Sequence, residues 1–290
     1  MTAYDILLAP FADFAFMRRA LVATFALALG CGPIGVLLVL RRMSLVGDSM
    51  SHAILPGAAV GFLVSGLSLP AMSVGGFAAG MAVALLAGLV SRRTALKEDA
   101  SFAAFYLISL AAGVFMISSR GSNVDLMHVL FGTVLAVDDP ALLLVASITT
   151  VTLFVLALIY RPLVLESFDP GFLRAVGGRG GVYHLAFMML VVLNLVAGFQ
   201  ALGTLMAVGL MMLPAATARF WAREVGPLVA VAVGIAAAAG YAGLVVSFHL
   251  DVASGPAIIL AAGAAYIVSL LFGPQGGLAR PPRRTRHLSA

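Results

Sequence analysis

Long uncharged stretches alternate with short charged ones along the whole chain. No Asp, Glu, Lys or Arg occurs in 20–40, 53–91, 100–119, 140–160, 180–218, 225–250 or 252–279. Each stretch reaches the ~20 residues that a helix needs to cross the hydrocarbon core of a bilayer. Taken as single helices at ~1.5 Å per residue, 53–91 and 180–218 would each be about 58 Å long. Each is therefore predicted to hold two helices. The first breaks at Gly66-Leu67-Ser68-Leu69-Pro70 and the second near Gly198-Phe199-Gln200-Ala201-Leu202-Gly203, where Gly, Ser and Pro are natural turn residues. Two helices from each of these stretches and one from each of the other five give nine crossings. The stretch 126–137, with His128, is too short to span and reads as a surface or re-entrant helix. The predicted architecture is all-α and polytopic. A single transmembrane domain covers 1–279, followed by a basic tail, 280–290.

Composition strengthens this picture. Only 17 Lys or Arg and 12 Asp or Glu occur among 290 residues, and 62% of the chain is apolar, against roughly 25% charged in soluble domains. A soluble enzyme, a DNA-binding domain and a disordered chain are excluded. The positions of the charges orient the helices. With nine crossings one face holds 41–51, 91–99, 161–179, 219–224 and the tail, which carry 14 of the 17 basic residues, while Arg18, Arg19 and Arg120 lie on the other. The positive-inside rule makes the first face cytoplasmic. The N-terminus is then periplasmic and the C-terminus cytoplasmic. Cys31 is the only cysteine, so an internal disulfide is impossible. The basic pair Arg18-Arg19 follows the first apolar stretch instead of preceding it, unlike a signal peptide.

Polar groups within a bilayer are costly and mark functional candidates. The densest cluster is Gly47-Asp48-Ser49-Met50-Ser51-His52. On a helix, Asp48 and His52 share one face with ~5–6 Å between Cβ atoms. A carboxylate and an imidazole suit zinc, manganese or ferrous iron better than calcium or magnesium. The same spacing also fits a helix start at which Asp48 is the N-cap and His52 its partner. Gly57-x-x-x-Gly61 and Gly76-x-x-x-Gly80 permit close helix approach, either within the chain or at a subunit interface. Asp125 and His128 form either an entry stop for metal or a wet surface pair. Asp138-Asp139 before Pro140 reads as a helix start. Glu98 and Asp99 stand beside Arg92, Arg93 and Lys97, where they either form salt bridges or offer an exit ligand. His184 reads as an interfacial residue, and Asp251 as a turn residue.

Several motifs, in order, resemble the membrane permease subunit of zinc/manganese ABC importers. They are Phe16-Met17-Arg18-Arg19-Ala20-Leu21, Arg41-Arg42-Met43-Ser44, and Gly47-Asp48-x-x-Ser51-His52-Ala53-x-Leu55-Pro56-Gly57. Further along come Lys97-Glu98-Asp99-Ala100, Val124-Asp125-Leu126-Met127 with Leu130-Phe131-Gly132, Leu213-Pro214-Ala215-Ala216-Thr217-Ala218-Arg219, and Asp251-x-x-Ser254-Gly255-Pro256-Ala257. The resemblance implies a fold similar to that of the vitamin and siderophore permeases. It also implies a second permease copy, a cytoplasmic ATPase dimer and a periplasmic or surface metal-binding protein. Asp48 and His52 from both copies would meet near the axis and hold the transported ion. No cofactor is expected to be permanently bound. Zinc is the expected cargo, from the likeness of the 124–132 segment to zinc members, with manganese or iron as the alternative.

No Gly-x-x-x-x-Gly-Lys-Ser/Thr loop is present, so ATP hydrolysis is expected in a separate subunit. Two cytoplasmic segments are candidates for ATPase contact. One is the helix-competent 214–226, with Pro214, Arg219, Phe220, Trp221 and Arg223, which resembles the coupling segment of the related permeases. Trp221 also fits a membrane-interface anchor. The other opens at Asp169 and Pro170, a good helix start. Arg18 and Arg19 are candidates for docking the binding protein, or for headgroup contact. A competing class is an ion-coupled secondary metal transporter, since intramembrane Asp and His also suit proton coupling. An intramembrane protease is not supported, because no His-Glu-x-x-His motif occurs.

Overall fold

A computed structural model describes residues 3–66, 68–119, 137–175, 177–178 and 180–279, and among these the regular elements are all helices. Two short helices, α1 (Ala3–Leu7) and α2 (Ala9–Asp13), precede α3 (Ala15–Leu40) and α4 (Ser44–Ser65). Then follow α5 (Leu69–Arg93), α6 (Glu98–Ser119), α7 (Asp139–Phe168) and the six-residue α8 (Pro170–Ala175). The chain continues through α9 (Gly180–Leu202), α10 (Thr204–Ala218), α11 (Val225–Leu250) and α12 (Ser254–Phe272).

Among the described residues, seven helices are long and apolar enough to cross a membrane: α3, α5, α6, α7, α9, α11 and α12. The expected count of nine also includes α4 and α10, which fall short for different physical reasons. At 22 residues α4 is long enough, but its first turns are polar, with Ser44, Asp48, Ser49, Ser51 and His52. At 15 residues, α10 rises only about 22 Å. Both long uncharged stretches do break in two. Gly66 ends α4 at φ 65°, and Gly203 separates α9 from α10 at φ 89°. Both angles lie in the left-handed region that glycine adopts without a Cβ penalty.

The charge gaps do not mark the helix ends. The gap 140–160 stops at Arg161, yet α7 continues through Pro162 to Phe168. Asp138 caps its start by accepting the Ala141 N–H at 2.9 Å, as the Asp-Asp-Pro spelling predicts.

Helices α3 and α9 form the centre, and α6 and α7 the periphery. Buried Asn194 on α9 donates to Thr152 Oγ1 on α7 at 2.7 Å and to Leu190 O at 2.8 Å. Thr149 Oγ1 donates to Ala26 O on α3 at 3.0 Å. Side-chain hydrogen bonds of this kind join helices where apolar burial alone gives little drive. The glycines of the two small-xxx-small patterns are used inside the chain. Gly57 and Gly61 face Gly75 and Ala71 across the α4–α5 contact, Gly76 faces Ile54, and Gly80 faces Ile54 and Val192.

Candidate metal pair and inter-helix contacts

The polar start of α4 follows a tight reversal. Arg41 N–H still bonds Leu37 O at the end of α3, Arg42 turns left-handed at φ 60°, and Met43 N–H returns to Leu38 O at 2.9 Å. Helix α4 begins at Ser44 with no side-chain cap. Asp48 therefore lies a full turn inside the helix, and the N-cap reading of this residue is corrected. Its carboxylate is not spent on the backbone. Instead the Ser51 hydroxyl donates to Asp48 O at 2.7 Å.

Asp48 Oδ1 and His52 Nε2 stand 3.9 Å apart on one helical face, with the side chains 62% and 36% exposed. That gap is too long for a hydrogen bond. An ion ~2.1 Å from each atom would close it. The Tyr106 ring of α6 stacks beside the His52 ring, with centroids 6.0 Å apart and the planes 29° from parallel. Among the described residues no group of three or more His, Cys, Asp or Glu converges on one point. Asp125 and His128 lie outside the described residues.

Glu98 and Asp99 open α6, but their expected partners are corrected. Among the described residues, Arg92, Arg93 and Lys97 form no ion pair with either. Glu98 Oε1 instead meets His184 Nε2 of α9 at 2.9 Å. His184 Nδ1 lies 3.3 Å from Arg41 Nη1, and Arg41 Nη2 pairs with Glu166 Oε2 at 2.5 Å. This network was not foreseen, because its members come from four separate helix ends. The visible signal was only that Arg41 and Glu98 stand at or beside the edge of an uncharged stretch.

The segment 214–226 is also corrected. Helix α10 runs on to Ala218, so Pro214 lies inside it, and 219–224 is a turn and not a helix. Trp221 is 46% exposed but tethered, since its indole N–H donates to Ser269 Oγ of α12 at 2.8 Å. Phe220 meets the Tyr266 ring edge-on at 5.9 Å, and its carbonyl accepts the Gln275 N–H at 2.9 Å. Arg219 and Arg223 are exposed on the same turn. Trp221→Phe keeps one aromatic ring but deletes the five-membered ring with its N–H. It is expected to cost about 1 kcal/mol for the lost bond and more for the lost packing, read as a lower melting temperature of the purified chain. Asp169 starts α8 as expected: its Oδ1 accepts the Phe172 N–H at 2.9 Å, directly beside Pro170.

Both N-terminal arginines have partners within the chain. Arg19 Nε pairs with Asp139 Oδ1 at 2.9 Å, at the start of α7. Arg18 Nη1 donates to Ala12 O at 2.8 Å.

The chain is similar to several known permeases along almost its whole length. It is 32% identical over 263 residues to the manganese import system permease protein ScaB of Streptococcus parasanguinis, covering 91% of this chain and 92% of that protein. It is 34% identical over 267 residues to the manganese transport system membrane protein MntC of Halalkalibacterium halodurans, covering 92% and 90%. Among solved structures it is similar to PsaBC from Streptococcus pneumoniae in complex with Fab, with TM-score 0.82 and 29% identity over 93% of this chain and 96% of that one. With seven apolar helices of spanning length, it is a multi-pass plasma-membrane protein. Residues 13–273 match the ABC 3 transport family, and the chain belongs to that family.

Proposed function

We propose that this chain is the membrane-spanning permease of an ATP-driven manganese importer. The observation that carries the reading is the Asp48–His52 pair, side by side and open at the start of α4, in a chain similar to two manganese permeases. The sequence pointed first to zinc through the 124–132 segment, which lies outside the described residues. The relatives favour the alternative, manganese. The ligands accommodate this, because carboxylate oxygen suits manganese and imidazole binds most first-row ions.

In this reading α4 and α10 join the seven apolar helices to make nine crossings, with the N-terminus outside and the C-terminus in the cytoplasm. The 14-to-3 division of Lys and Arg between the two faces supports that topology. Two copies pair, and each contributes Asp48 and His52 to one transient site. A carboxylate–imidazole set shared between subunits tightens when they close and weakens when they part, which meets the transporter's need to bind and then release. A separate ATPase dimer pushes on the 219–224 turn and on α8. An extracytoplasmic binding protein delivers the ion on the side of Arg18 and Arg19. The ion is cargo, and no resident cofactor is invoked.

The test is a strain lacking this permease and its parallel metal uptake routes, grown under chelation. Manganese supplied with the intact permease is expected to restore growth and radioactive manganese accumulation at concentrations where the deletion strain stays starved. Rescue by zinc but not manganese would reverse the assignment of the cargo. Uptake that persists without the partner ATPase and follows a pH gradient would replace the ABC reading with ion-coupled transport.

A further inference from the structure

Arg41 is the most heavily engaged cation among the described residues, yet neither the metal pair nor the ATPase contacts account for it. It follows α3 directly, and its side chain is only 7% exposed. Its guanidinium pairs with Glu166 Oε2 at 2.5 Å and donates to Ser167 Oγ at 2.8 Å and Leu163 O at 3.3 Å, all on the last turns of α7. The face of the group lies over the Phe187 ring of α9, 4.8 Å from its centroid. Nη1 points to His184 Nδ1 at 3.3 Å. A guanidinium only donates, so Nδ1 accepts and the ring proton sits on Nε2. That proton is then donated to Glu98 Oε1 at 2.9 Å. One planar fork thus ties the α3–α4 reversal to α7 and α9, and through His184 to α6.

The other side of the same reversal touches the opposite machinery. Val36, Val39 and Leu40 at the end of α3 pack with Ala215, Ala218, Ala222 and Leu228, around the 219–224 turn. Just before Asp48, Gly47 receives the Met212 side chain of α10, whose methyl would lie 2.7 Å from a Cβ at that position. The Arg41 end of the reversal is therefore fixed on one flank by polar bonds to α7 and α9. On the other flank the first turns of α4 lean on α10, which leads straight into the turn proposed to meet the ATPase.

We infer that Arg41 is a positioning residue for transport: an anchored pivot about which α4 tilts when α10 presses Met212 on Gly47, opening and closing the Asp48–His52 pair. The inference rests on the proposed function, since it assumes metal at that pair and ATPase force at 219–224. Packed helix contacts suit this role because they slide between discrete arrangements and do not stretch. Arg is suited to the pivot because its fork holds several acceptors in one plane, which an ammonium does not reproduce.

The decisive measurement uses the complete importer in proteoliposomes, with manganese uptake and ATP hydrolysis followed together. For Arg41→Ala, ATP hydrolysis per assembled complex is expected to persist while manganese moved per ATP falls about tenfold, the scale of a coupling residue. Arg41→Lys is expected to restore little of it, although it keeps the charge. A merely structural role would lower assembly and leave the metal-to-ATP ratio of the surviving complexes at the wild-type value, and that result overturns the pivot. Where Arg41→Ala fails to assemble, the decision passes to Gly47→Ala. Its ratio is expected to fall and to recover when Met212→Ala is added; an unchanged ratio for Gly47→Ala overturns the inference. Asp48→Asn is run alongside. Absence of manganese uptake by the wild-type importer removes the proposed function itself, full uptake by Asp48→Asn removes the metal pair that the pivot is meant to move, and loss of uptake there with a normal ratio in the Arg41 and Gly47 variants removes only the pivot.

Discussion

Asp48→Asn is expected to reduce manganese uptake by about two orders of magnitude while leaving the permease in the membrane at its normal level. The size follows from chemistry. Asn keeps the shape of the side chain but offers a neutral amide oxygen where a divalent ion needs charge. Even disturbing the partners of a metal ligand costs ~10–100-fold, so removing the ligand's charge belongs at the top of that range. The survival of the fold follows from geometry. The Asp48 side chain is 62% exposed, caps nothing, and among the described residues its one ion-pair partner is the His52 ring at 3.9 Å. His52→Ala is expected to match it, and the double variant to be scarcely worse, because ligands that act as one unit are not additive. Radioactive manganese accumulation, normalised to permease abundance on a blot of the membrane fraction, reads all three. Uptake near wild type in both single variants would remove the pair from the transport route.

This pair was legible in the sequence because it is local: positions i and i+4 on a helix are neighbours whatever the tertiary structure does. The long apolar helices were legible for a similar reason, since a stretch without charge announces itself one residue at a time. The network around Arg41 was not. Arg41 meets Glu166 and His184 across 125 and 143 residues of sequence, and nothing in their local surroundings singles one partner out. Sequence proximity pointed Glu98 toward Arg92, Arg93 and Lys97, yet exposed neighbours on a helix end gain little from pairing in water. The half-buried His184 ring offered a drier and better-aligned donor. Pro214 misled for a different reason. A proline usually ends a soluble helix, but neighbouring helices in a membrane bundle re-satisfy the carbonyl it frees, and α10 runs through it to Ala218. The helix ends were blurred because a charged residue does not end a helix, as α7 shows by carrying Arg161 and Glu166 on its last turns.

Gly57→Ala is expected to be the most damaging single-methyl change in the α4–α5 contact. A Cβ at Gly57 would lie 2.0 Å from Gly75 O and 2.6 Å from the Ala79 Cβ, while Gly75 faces Gly57 O at 2.2 Å in return. The nearest atoms on both sides are backbone, so no rotamer change relieves the clash. The two helices must separate, losing packing along their length. Overpacking of this kind typically costs about 1–3 kcal/mol, and a contact with backbone on both sides belongs at the upper end. Gly57→Leu is expected to prevent accumulation of folded protein altogether. Gly88 supplies the internal control: it lies on the same helix, α5, with open space where its Cβ would go. Gly88→Ala is therefore expected to be neutral or slightly stabilising, because alanine is the better helix former by ~1 kcal/mol. Melting of the detergent-solubilised permease, followed by the onset of aggregation, separates the two. Equal melting temperatures for Gly57→Ala and Gly88→Ala would mean that α4 and α5 do not approach backbone to backbone. The separation also carries a functional signature. His52 lies just over one turn before Gly57 on the same helix, so displacing α4 from α5 moves the metal pair as well. Any Gly57→Ala protein that still folds is expected to take up manganese more weakly than its abundance predicts, whereas Gly88→Ala uptake should track abundance alone.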